Sequence, residues 1–118
     1  MVRIAALVIA GAMVTGPTAN AAPEGIGDAI TAAGGTCQMG QEALHCTLGG
    51  ITFQIVAGWA ASTAVRAKAC SEGFINARYQ VLTVGDSMIL TDHNSDLAAI
   101  GAALSAQGVQ SELQSYCP

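Results

Sequence analysis

The chain has 118 residues, of which 52% are hydrophobic and only 10% charged, with four lysines and arginines against eight carboxylates. So few cations, scattered along an acidic chain, leave no electrostatic footprint for a phosphate backbone or an anionic lipid surface, and nucleic acid is not an expected partner. The length suits one domain with a modest core.

The opening segment reads as a secretory signal peptide. "MVR" is a positive start, Ile4–Val14 is an unbroken apolar run, and Ala19-Asn20-Ala21 is an A-x-A site after Gly16 and Pro17. The run is too short to span a bilayer, which takes roughly 20 apolar residues. Cleavage after Ala21 is expected, with no stable membrane anchor left behind. Residues 22–118 then form a single small secreted domain, in which Arg66, Lys68 and Arg78 face all eight carboxylates.

In "PEGIGDAITAAGG", Ile26, Ile30 and Ala33 fall at helical spacing, and Gly34-Gly35 ends the pattern. Further on, "ALHCTL-GG-ITFQIVA" holds two alternating runs around Gly49-Gly50, a two-residue hairpin loop. Pairing Leu48 with Ile51 puts Leu44, Cys46, Leu48, Ile51, Phe53 and Ile55 on one face. His45, Thr47, Thr52 and Gln54 then share the other, and a slip by one residue would scramble both.

The alanine-rich stretch Trp59–Gly73 predicts a helix, with Trp59, Thr63, Ala67, Cys70 and Phe74 inward and Arg66, Lys68 and Glu72 more exposed. "RYQVLTV", a Gly85-Asp86 turn and "SMILT" read as a second hairpin. Its adjacent apolar pairs Val81-Leu82 and Ile89-Leu90 suit strands covered on both sides. "TDHNSD" leads into another helix, with Asn94 or Ser95 as cap, Asp96 in the first turn, and Leu97, Ile100 and Leu104 as its apolar stripe. "VQSELQSYC" alternates as a last strand.

From Ile51 onward the order is β-α-β-β-α-β. The expected fold is therefore α+β: a split-βαβ, ferredoxin-like antiparallel sheet with its helices on one face, plus an extra N-terminal helix and hairpin strand.

"TCQMGQEALHC", Thr36–Cys46, raises three chemistries: a metal site, a redox pair or a staple. A metal would have to gather Cys37, His45, Cys46 and His93, yet His45 and Cys46 are neighbours on a strand and point to opposite faces. No C-x2-C knuckle is present, and no C-x-x-C or helix N-terminus lowers a thiol pKa. An even number of cysteines in a small exported chain favours disulfides. Three connectivities are open to four cysteines. The spacing favours Cys37–Cys46 and Cys70–Cys117, worth about 2.7 and about 4 kcal/mol in the chain-entropy model.

Catalytic signatures are sparse. No nucleophile elbow, H-E-x-x-H, phosphate loop or dinucleotide fingerprint occurs. Asp92 beside His93 is the one acid–imidazole neighbour pair, and its alternative reading is a small hydrolase or metal-dependent enzyme. Polar residues before a helix more simply cap it. Neither a metal nor a cofactor is expected.

The sheet face carrying Gln54, Gln110, Gln114 and Tyr116 is the candidate ligand surface; it suits polar ligands such as sugars, a protein partner or a second copy of the sheet. "FQIVAGW", an alanine-rich helix, a hairpin, a second alanine-rich helix and "AQGVQSEL" together resemble the order of elements in SPOR domains, over Ile51 to Leu113. That resemblance implies binding of peptidoglycan glycan strands on the sheet. The chain lacks the aromatic hairpin motif of such domains, and its cysteines lie outside the pattern. The expectation is a secreted, disulfide-stabilised bacterial protein of the cell envelope or medium that binds rather than catalyses.

Overall fold

The computed structural model describes residues 22–118; the expected signal peptide and its cleavage site lie outside them. The elements are α1 (Pro23–Ala32), β1 (Thr36–Met39), β2 (Leu44–Leu48), β3 (Ile51–Ala57), α2 (Thr63–Ser71), β4 (Gln80–Val84), β5 (Ser87–Thr91), a single 3-10 turn (Asn94–Asp96), α3 (Leu97–Ala106) and β6 (Glu112–Ser115).

The six strands form one antiparallel sheet in the order β1-β2-β3-β5-β4-β6. The β2–β3 hairpin has the register expected from alternation, with Leu48 opposite Ile51, Cys46 opposite Phe53 and Leu44 opposite Ile55. Gly49 and Gly50 both take positive φ, 57° and 82°. That is what a tight two-residue turn between twisted strands demands. All six of those side chains lie on the core face. There Ile26 and Ile30 of α1 and Leu97, Ile100 and Leu104 of α3 close over Phe53, Ile55, Leu82 and Ile89.

Three features differ from the sequence reading. First, Thr36–Met39 is a strand, edging the sheet beside β2. It shows no alternation to read, because three of its four residues are exposed.

Second, β6 pairs with β4 rather than lying beside β3, as a ferredoxin-like order would have it. The open edge of β3 is already taken by its hairpin partner β2, so the last strand finds the free edge of β4. The chain order β-α-β-β-α-β is present, but its spatial arrangement is different.

Third, the helices do not share one face. The crossovers β3-α2-β4 and β5-α3-β6 each skip one strand in the same direction along the sheet, starting from antiparallel strands. Right-handed connections then carry α2 and α3 to opposite sides. Accordingly, α2 contributes nothing to the core cluster. Its one buried residue is Arg66, 4% exposed, while Thr63, Ala67 and Phe74 of the expected inward stripe are exposed. On the face opposite the core, Val81, Thr83 and Met88 are also buried. This is why Val81–Val84 of β4 read as apolar or small: both faces of that stretch are covered.

Two disulfides hold this arrangement, and no described cysteine is free. Cys37–Cys46 bridges directly opposed residues of β1 and β2. Cys70–Cys117 ties the end of α2 to the segment after β6, across 47 residues of chain. These are the pairs the spacing favoured. Two such bonds point to an oxidising, extracytoplasmic environment. No described helix is long and apolar enough to cross a membrane.

Candidate functional site

On the face away from the core, the pairing of three strands lines up His45 (β2), Gln54 (β3) and Leu90 (β5) in one row. The row floors a cleft of about 310 Å³, completed by Thr52, Phe53, Thr91, Asp92 and Tyr79. That volume is at the small end of ligand sites. Alternation along β2 and β3 turns His45, Thr52 and Gln54 outward because Cys46, Phe53 and Ile55 must face the core.

Among the described residues, the side chains of His45, Thr52, Gln54 and Asp92 make no hydrogen bond or ion pair within the protein. They offer a carboxylate acceptor, an imidazole, a hydroxyl and an amide that both donates and accepts. Tyr79 forms the end wall. Its hydroxyl donates to the Thr91 carbonyl at 2.7 Å. Burial pushes its pKa above the usual value, helped by the negative charge of Asp92 and then by Tyr116. The phenol therefore stays neutral, and Asp92 is the one carboxylate lining the cleft.

Tyr79 is itself held in place from behind. Its ring packs against Tyr116 with centroids 5.4 Å apart, and its carbonyl accepts the Tyr116 N–H at 2.9 Å. Arg66 sits behind Tyr116. Its Nη1 donates to the Tyr116 carbonyl (2.8 Å), Nε to Ser62 Oγ (2.8 Å), and Nη2 to the Trp59 carbonyl (3.1 Å) and Thr63 Oγ1 (3.2 Å). Asn94 fixes the other approach to Tyr79. Instead of capping α3, its Nδ2 donates to the Arg78 carbonyl and its Oδ1 accepts the Gln80 N–H, both at 2.9 Å.

Of the four sequence-nominated ligand residues, the structure brings only Gln54 into this cleft. Gln114 shares the face but is two strands away, where its amide donates to Thr83 Oγ1 at 2.8 Å. Tyr116 supports Tyr79 from outside the lining. Gln110 precedes β6 and is exposed, apart from the cleft. The Asp92–His93 neighbours are divided: Asp92 lines the cleft and His93 does not.

Tyr79 and Asp92 lie at the open end of the β4–β5 hairpin, and only the placement of β5 against β3 brings them to the His45–Gln54 row. The polar tail of "SMILTD", leaving a strand next to β3, was the available signal. No described group of three or more His, Cys, Asp or Glu side chains could hold a metal ion. Comparison with protein-family models, with curated proteins and with solved structures gives no match for this chain.

Proposed function

We propose that the protein is an exported, non-enzymatic binding module that holds a polar ligand of the saccharide class in the cleft of its outer sheet face. One observation carries the reading: four polar side chains without internal partners, His45, Thr52, Gln54 and Asp92, converge on one small cleft beside a tyrosine. Planar amide, carboxylate and imidazole groups match neighbouring hydroxyls of a sugar, and an aromatic ring suits its less polar edge. The element order along the chain resembles that of SPOR domains, with a different arrangement of the strands in the sheet, and makes bacterial cell-wall glycan strands the first candidate. The disulfides agree with work outside the cytoplasm, after removal of residues 1–21.

Binding is preferred to catalysis because His45 and Asp92 have no hydrogen bond between them, and no third group orients either one. The test is co-sedimentation of the oxidised protein with purified cell-wall sacculi. Wild type should pellet, and a Gln54→Ala, Tyr79→Ala double variant should stay in the supernatant. Wild type remaining in solution would refute the glycan reading.

A further inference from the structure

The cleft carries a charge the fold does not neutralise. Asp92 is the one carboxylate among its lining residues, and neither lysine nor arginine lines it. None of the cations of residues 22–118 forms an ion pair with Asp92. Lys68 pairs with Glu72 at 3.9 Å, Arg66 is buried among uncharged acceptors, and Arg78 makes no ion pair. The surrounding chain is acidic as a whole, with net charge −4.

A neutral polar ligand would need acceptors and donors but no fixed charge. An anionic one would be repelled. A ligand with a protonated amine gains a carboxylate close to the Tyr79 ring, and a carboxylate with a tyrosine ring favours ammonium groups.

Resting on the saccharide reading above, we infer that the cleft selects sugars bearing a free, protonated amino group, with Asp92 as the group that holds the ammonium. Gln54 and Thr52, in the floor row and next to it, then serve the neighbouring hydroxyls. The neutral Tyr79 hydroxyl, committed to Thr91, adds no competing charge.

The experiment is an NMR titration of the isotope-labelled, oxidised protein at neutral pH. Its two probes differ only at nitrogen: a glucosamine trisaccharide with free amines and its fully N-acetylated counterpart. The free-amine probe should shift the His45, Gln54 and Tyr79 resonances and bind at least about threefold more tightly, as a partly exposed ion pair allows. Raised salt should shrink the preference. Asp92→Asn should abolish it, bringing the two probes to equal affinity. Glu24→Gln, on α1, should change neither.

Equal affinity for both probes at the cleft would overturn the amine selectivity and leave the saccharide reading standing. A preference that survives Asp92→Asn would also overturn it, since the ammonium would then be held elsewhere. Absence of cleft shifts with either probe would overturn both readings.

Discussion

The guanidinium of Arg66 lies 3.6 Å from the ring centroid of Trp59, and the same group binds the Tyr116 carbonyl from the far end of the chain. A charged residue of α2 thus does what an apolar core does for other helices. It is buried, yet no described carboxylate pairs with it, and four hydrogen bonds to neutral oxygens take the place of a counter-ion. Arg66→Ala removes the stacking and strands the Tyr116 carbonyl, while the Trp59 carbonyl keeps the Ser62 hydroxyl, and should cost about 2–4 kcal/mol. Arg66→Lys keeps the charge but not the planar fork, so it should rescue only part of that loss. Denaturant unfolding of the three proteins measures both effects.

The two disulfides should differ in worth. Cys37–Cys46 closes a short loop between strands that are already paired. Cys70–Cys117 closes a longer one and secures α2, Arg66 and Tyr116 to one another. The paired substitution Cys70→Ser, Cys117→Ser should therefore destabilise more, by about 4 kcal/mol against about 2.7 kcal/mol for Cys37→Ser, Cys46→Ser. Calorimetry would rank them. Loss of the longer bridge should also disturb Tyr79 resonances, because Tyr116 stands between the bridge and the cleft.

Tyr79 should make the protein sensitive to alkali. Its folded pKa is raised above 10.0, the value taken for an unperturbed tyrosine, first by burial and then by Asp92. The folded state keeps a proton that the unfolded chain releases. The stability from this group is therefore whole below about pH 10 and is lost as pH rises through the folded pKa. Tyr79→Phe should flatten that decline. Asp92→Asn should lower the pKa toward its ordinary value, which ultraviolet titration of the two tyrosines can read directly.

Gly35, between α1 and β1, marks a close approach. A Cβ there would lie 2.7 Å from the Thr47 carbonyl of β2 and from Ile30 Cγ2. One neighbour is strand backbone and cannot swing aside. Gly35→Ala should cost about 1–3 kcal/mol in thermal or denaturant unfolding, even though alanine is otherwise the less flexible residue of the two.

How much of this was legible beforehand follows from what kind of interaction wrote each part. The hairpin Leu44–Ala57 was readable to the residue because alternation and Gly49-Gly50 are local and agree with each other. The helix from Pro23 was readable because Ile26 and Ile30 fall on one stripe. The choice of β4 as partner for β6 is a competition between sheet edges, and no local pattern records its outcome. Arg66 was misjudged for a related reason. A cation reads as solvated until Trp59, seven residues before it, and Tyr116, fifty after it, are known to enclose it.

The candidate site divides in the same way. Alternation placed His45, Thr52 and Gln54 on the outer face. Asp92 and Tyr79 joined them only because β5 lies against β3 and the chain before β4 returns beside it. Gln110, Gln114 and Tyr116 were grouped with Gln54 as one sheet face; Gln114 does share that face, but β6 lies beyond β4, away from the cleft.

Whether saccharide occupies the cleft is decided by calorimetric titration of cell-wall glycan fragments into wild type and a Thr52→Ala, Gln54→Ala variant. Both substitutions are at exposed positions, so the melting temperature should hold. The expected result is saturable binding by wild type and at least about tenfold weaker binding by the variant, each lost hydrogen bond contributing about 1 kcal/mol. No binding by wild type, or equal binding by both proteins, would contradict it.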